Sequence, residues 1–206
     1  TPYDFDRTSD KETIYGVAGI SVWNYYGLPT NSRQSSAGIS PTQELIDSYE
    51  TADGHPILKK TGDGKYYKDD SHLQPNFNEA AGYDDQNPYE NRDPRFYQSV
   101  YFNGAQRHWD DPDELVKIYD NAPRDSSCAI DKTTIRNTRT GYYMRKYDKH
   151  TSSYETPVTG YVRRFRLAEL YLNFAEAANE AYGPTQQVEG YSGQASMSAV
   201  EAVNAV

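Results

Sequence analysis

Tyr66-Tyr67, Tyr83, Tyr89 and Trp109 lie on stretches without periodicity, and Asn87, Arg107 and Asp110 stand close to them in sequence. Rings with an apolar face, set among short polar and charged side chains, are what a sugar-binding surface needs: the C–H face of a pyranose stacks on the ring while Asn, Asp and Arg satisfy its hydroxyls. Trp23 with Tyr25-Tyr26 makes a second cluster of the same kind. Each ring taken singly suits packing beneath a loop better than it suits ligand contact. As a set on long loops they point to a ligand surface, with Trp109 as the first anchor, because it offers the largest flat face between Arg107-His108 and Asp110-Asp111.

Other chemistries find less to work with. Glycoside hydrolysis requires two carboxylates at a fixed separation, and Asp84-Asp85, Asp110-Asp111 and Glu90 or Asp93 are the candidates; the same residues suit caps and turns in solvated loops. His55, His72, His108 and His150 stand singly, and no HExxH, P-loop, G-x-S-x-G or G-x-G-x-x-G pattern occurs. That removes the usual sequence signals of zinc, nucleotide and nucleophilic chemistry. A lone cysteine, Cys128, excludes an internal disulfide and a four-cysteine zinc site. No cofactor is expected beyond calcium, for which Asp63, Asp69 and Asp70 offer oxygen ligands without the EF-hand spacing. Arg92 and Arg95 flank a helix start, where they either hold an anion or pair with internal acids such as Glu169 and Glu176; the second is expected, since a covered acidic strip needs cations.

A net charge of -9 argues against nucleic acid and anionic membrane surfaces as partners, which call for a positive field. With 206 residues the chain suits one domain, 1–206, and its 36% hydrophobic content implies much loop around a modest core. Tyrosine contributes 20 residues against 6 Phe and 2 Trp, so the core must use rings with a polar tip. No run reaches the roughly 20 apolar residues of a membrane-spanning helix. A chain that opens on Thr1 and closes inside an expected helix reads as a fragment truncated at both ends.

The elements that must position these residues follow from periodicity and caps. Leu167, Leu170, Tyr171, Phe174, Ala178 and Ala181 recur at steps of three and four, opposite a stripe of Glu169, Asn173, Glu176 and Glu180. This predicts a helix over about 164–182, packed on more than one side and ended by Gly183-Pro184. Ser198 and Glu201 form a capping box for a second helix, which should pack against the first. Ser40-Pro41 predicts a helix of about ten residues carrying Leu45, Ile46 and Tyr49, closed by Asp53-Gly54. Asp93-Pro94 predicts a short helix by the same logic. Strands are expected over 12–17, 98–102 and 141–147, the last two as an antiparallel pair, with a helical turn at 112–116 and otherwise loop between 105 and 138. Residues 19–39 and 55–90 read as irregular loops.

The wording "RLAELYLNFAEAANE" followed by "SAVEAVNAV", together with "SPTQELIDSYETADG", "YENRDPRFYQSVYFNG" and "TGYYMRKYD" in order upstream, resembles the SusD/RagB family of nutrient-binding lipoproteins of Bacteroidetes. The resemblance, spread over roughly residues 40–206, implies the C-terminal part of such a protein. It implies a mainly α fold: tetratricopeptide-like helix hairpins of an αα superhelix, with long irregular loops and a small β hairpin. It also implies a non-catalytic surface lipoprotein of the cell outer membrane that captures an oligosaccharide or other nutrient fragment and delivers it to a TonB-dependent, SusC-like transporter. A lipid anchor outside this sequence would be its sole tie to the membrane. The rival expectations are a glycoside hydrolase using loop carboxylates and a helical adaptor that binds protein.

Overall fold

The structure, a computed structural model, describes residues 11–20, 40–108, 111–119, 138–146, 160–190 and 195–206. Trp23, Tyr25-Tyr26, Trp109, Asp110, Cys128 and His150 lie outside the described residues. The chain divides into two compact units, Thr1–Ile20 with Thr159–Val206, and Ser21–Val158.

The first unit pairs β1 (Thr13–Ile20) antiparallel with β6 (Gly160–Arg166), and β6 runs directly into α3 (Leu167–Tyr182). The helix therefore starts at Leu167, three residues later than the periodicity predicts, because 164–166 belong to the strand ladder. Its start is held by Glu12, the residue just before β1: the Leu167 amide donates to the Glu12 carbonyl at 2.8 Å and the Ala168 amide to the Glu12 carboxylate at 3.2 Å. Arg166, the N-cap residue, supplies no side-chain capping bond, so the acid just before β1 does the capping. At the far end the Gly183 amide returns to the Asn179 carbonyl at φ 86°, a conformation a side chain would resist.

The second helix, α4 (Ala199–Asn204), begins with the full capping box: the Glu201 amide donates to the Ser198 hydroxyl, and the Ser198 amide donates to the Glu201 carboxylate at 2.8 Å. A two-bond bridge between Val188 and Met197, 3.1 Å each way, folds the connection back so that α4 meets α3. The contact is made of small residues, Ala175 and Ala178 against Ala199 and Ala202, edged by Tyr171, Phe174, Val188 and Met197. The face expected to be buried is only partly so: Leu170 remains 45% and Leu172 46% exposed, while Ala168, Ala175 and Ala178 are covered. Alanines let two helices approach closely, and the leucines then flank the contact and line shallow apolar grooves on either side. The acidic stripe of Glu169, Asn173, Glu176 and Glu180 is exposed, as the spacing predicts.

The second unit is built around α1 (Gln43–Ser48), α2 (Pro94–Ser99) and two short strand pairs. Asp93 caps α2 as predicted, accepting from the Arg95 amide, with Pro94 at the first position. For α1 the cap is Thr42, not Ser40: the Thr42 hydroxyl accepts from the Leu45 amide, and the helix runs for 6 residues where about ten are expected. Pro41 sits before the cap, and Tyr49 already has extended backbone. β2 (Val100–Tyr101) and β5 (Tyr143–Met144) form the expected antiparallel pair. Gln98 and Ser99, assigned to that strand by alternation, are the last turn of α2. The expected helical turn at 112–116 is instead β4 (Asp111–Leu115), antiparallel to β3 (Gln106–His108). The Asn103-Gly104 turn before β3 places Gly104 at φ 86°, and its amide reaches the Val116 carbonyl at 2.8 Å.

Phe96, Ile46, Val100 and Tyr142 form the centre of this unit, with Tyr49, Tyr89, Tyr97 and Phe102 around them. Arg92 is buried among them. Its guanidinium donates to the carbonyls of Ile46 (2.6 Å), Tyr49 (3.1 Å) and Pro88 (2.9 Å), and it lies over the Phe96 ring at 4.7 Å. Arg92 thus closes the C-terminal end of α1, where carbonyls lack helical partners. Arg95 pairs with Asp93, and with Glu50 at 3.6 Å. Both arginines therefore answer to groups of their own unit instead of the Glu169/Glu176 strip, because the 92–95 segment is bridged to Thr51 and folds directly on α1.

Candidate functional site

Residues 58–77 fold back on themselves through bridges between Leu58 and Phe77 and between Tyr67 and Pro75. The expectation of an irregular stretch holds for its backbone class, yet the loop is pinned at several points. The Lys68 amide reaches the Gln74 carbonyl at 2.8 Å, and the Asn76 amide reaches the Tyr66 carbonyl at 2.9 Å. Ile57, Leu58 and Tyr67 are buried at its base with Phe77 and Tyr83 against them. Two side-chain bonds fasten the loop to α1: the Tyr67 hydroxyl donates to Asp47 at 2.7 Å, and His72 Nδ1 lies 2.9 Å from Glu44. The His72 ring stacks on Tyr67 with centroids 4.5 Å apart. His72 adopts φ 57°, a left-handed conformation costly for a side chain of its size and sustained by these contacts.

Between α1 and this loop lies a cavity of about 710 Å³, within the range of small-ligand sites. Glu44, Asp47, Ser48 and Glu50 line it from α1 and its C-terminal end, Lys65, Tyr66, Asp69, Asp70 and His72 from the loop, and Pro56, Leu58 and Tyr67 complete it. Tyr66 is 47% exposed, an aromatic face available to a ligand, with the Lys60 ammonium 5.7 Å from its ring centroid. Tyr67 is its opposite: burial, and then the bond to Asp47, pushes its phenol well above the usual range. It stays protonated and serves as a fixed donor.

Charges here are paired across the loop. Lys65 and Asp70 meet at 2.8 Å, which raises the ammonium and lowers the carboxyl. The His72 hydrogen bond lowers Glu44 below the ordinary carboxylate value. The Thr61 hydroxyl donates to Asp63 and pulls it down, and the Ser71 hydroxyl donates to Asp69 at 2.8 Å. Asp63, Asp69 and Asp70, the calcium candidates, are each taken up by a different neighbour. Among the described residues no three metal-ligating side chains converge.

The remaining sequence candidates separate. Tyr89 stacks on Phe102 at 4.5 Å and belongs to the core around Phe96; Tyr83 packs on Phe77, 5.3 Å from the Arg92 guanidinium. Burial raises both phenols. Arg107 is a residue of β3. Asp84 accepts from the Gln86 amide at 3.0 Å and from Asn87 at 2.7 Å, a self-contained turn that lowers its carboxyl. Of the aromatic set, the structure brings Tyr66 and Tyr67 to one cavity and places Tyr83 and Tyr89 in packing. Sequence reasoning missed Glu44, Asp47, Glu50, Lys65 and His72. Glu44 and Asp47 stand three apart on one predicted helix and could have been grouped; their meeting with Tyr67 and His72 depends on tertiary folding.

Comparison with solved structures returns a SusD-like carbohydrate-binding protein from Bacteroides fragilis, 23% identical with a TM-score of 0.54, over 88% of this chain and 31% of that one. A second SusD-like protein from Bacteroides fragilis is 24% identical with a TM-score of 0.54, over 86% of this chain and 34% of the other. At these identities the likeness establishes the fold, and the chain spans about a third of the length of either relative. No curated protein sequence matches it. The family model of SusD, SusD_RagB, matches residues 1–206, and the chain accordingly belongs to the SusD family.

Proposed function

We propose that this chain is the C-terminal part of a non-catalytic capture protein that holds an oligosaccharide, or another nutrient fragment, in the cavity between α1 and the 58–77 loop. The observation that carries this reading is a cavity of about 710 Å³ with the exposed Tyr66 ring and acceptor carboxylates in its lining, in a chain that matches the SusD family from end to end. Stacking on Tyr66 would orient a sugar, while Ser48, Glu50 and Asp69 would receive its hydroxyls. Trp109 and Trp23, with Arg107 and Asp110, are proposed as further contacts. The family further suggests an outer-membrane surface lipoprotein working with a TonB-dependent transporter. Capture without turnover is favoured over hydrolysis by the bonds around Asp84, which tie a leading acid to its own turn.

The test is a glycan array probed with the full-length protein, followed by calorimetry on the best ligand. Tyr66→Ala should weaken binding roughly thirtyfold, the usual loss of one aromatic anchor. Unchanged affinity would move the site to Trp109 or Trp23. Sugar release from a polysaccharide panel by the purified protein would reject the non-catalytic reading, and co-purification with a TonB-dependent transporter would support delivery.

A further inference from the structure

We infer that this groove sorts glycans by charge, favouring oligosaccharides that carry amines and turning away those that carry carboxylates. The inference rests on reading the groove as the glycan site, which stands on its volume and the exposed Tyr66 ring. The carboxylates then decide which sugar is admitted. Glu44, Asp47, Glu50, Asp69 and Asp70 line the groove against Lys65 and His72. Both basic side chains are already engaged, Lys65 by Asp70 at 2.8 Å and His72 by Glu44 at 2.9 Å, so neither stands ready for an incoming anion. Asp47 is buried and holds the Tyr67 hydroxyl and the Gln43 amide. Asp69 accepts the Ser71 hydroxyl, and Glu50 has Arg95 no nearer than 3.6 Å.

A uronate entering this lining would lose hydration and face five carboxylates against the Lys65–Asp70 and His72–Glu44 pairs and the Lys60 ammonium beside the Tyr66 ring, a balance that rejects an anion more strongly than a missing contact does. A protonated hexosamine gains where the uronate loses. Because Asp69, Asp70 and Glu50 are reached by solvent, both effects should be screened by salt, and that dependence separates field-driven selection from shape.

The experiment is calorimetry on the full-length protein at about pH 6, where a hexosamine is protonated, with three probes: a glucosamine hexamer, its fully N-acetylated counterpart, and hexagalacturonate. The expected order is glucosamine hexamer tightest, by about tenfold over the N-acetylated form at low salt, with hexagalacturonate weakest. The tenfold gap should close in molar salt and narrow in a Glu50→Gln/Asp69→Asn double variant. Hexagalacturonate binding as well as the glucosamine hexamer, or a preference indifferent to both salt and the variant, overturns the charge proposal. So does failure of all three probes while the array finds other ligands. Failure of the whole array instead removes the underlying reading of the groove as a glycan site.

Discussion

The core of the Ser21–Val158 unit and the contact between α3 and α4 are made of opposite materials. The first is assembled from large rings around a buried cation: Phe96, Tyr142 and Tyr97 with Arg92, whose donors are set on carbonyls at the end of α1. The second joins four alanines and leaves leucines in solvent. Rings with polar tips can be buried only when each tip has a partner, so the Ser21–Val158 core is specified by directional bonds as much as by area. The alanine contact is specified by fit. One core should therefore fail when a donor is removed, and the other when a methylene is added.

The largest effect is expected at Arg92. Arg92→Met keeps much of the apolar stem but leaves the Ile46, Tyr49 and Pro88 carbonyls without their donor, at a cost of about 3 kcal/mol or more. Urea unfolding monitored by tyrosine fluorescence measures it. A loss below about 1 kcal/mol would show that water or a neighbour replaces the guanidinium, and the contrast drawn between the two cores would fail.

The hairpin should answer to volume. Ala202 is fully buried against α3, so Ala202→Leu is expected to destabilise by about 1–3 kcal/mol through overpacking. Leu170→Ala should cost under about 1 kcal/mol, since a residue 45% exposed leaves little cavity, whereas a buried leucine loses roughly 2–5. Thermal unfolding of both variants, followed by helical circular dichroism, checks the ranking. If Leu170→Ala proves the more damaging, the leucine flank is covered in solution and the hairpin has a second packing face.

What was legible in the sequence divides along the same line. Caps are local, and Asp93-Pro94 and Ser198-Glu201 fold as their spacing predicts because the bonds involved span two or three residues. Where two cap residues compete, as Ser40 and Thr42 do, the pattern alone does not choose between them. Asp111–Leu115 carries a helix-like composition but pairs with Gln106–His108, a tertiary override of propensity. Periodicity located the face of α3 but ranked its leucines above its alanines; contact distance, set by the partner helix, reverses that order. The groove was half legible: Tyr66-Tyr67 stood out as rings, while His72 meets Glu44 across 28 residues of chain, a separation no motif encodes.

The smallest effect concerns the capping box of α4 and acid. Hydrogen bonds from the Ser198 amide, Gln187 and the Ser198 hydroxyl hold the Glu201 carboxyl below its ordinary value of 4.5. Because the folded value is depressed, the folded state gains from ionisation: the contribution is fully present above about pH 4.5 and is lost as pH falls through the lower, folded value. Glutamine serves the same position in a capping box, so Glu201→Gln should change the helix little at neutral pH. What the variant should lose is the acid dependence of the hairpin. Amide exchange at Glu201 and Ala202, whose amides donate to Ser198, followed from neutral pH down to about pH 3, reads this directly after correction for intrinsic exchange rates. In the wild type protection should fall at the acid end, below the ordinary carboxylate value, and in Glu201→Gln it should stay level. A parallel decline in both proteins would place the acid-sensitive group elsewhere in the unit, outside the capping box of α4.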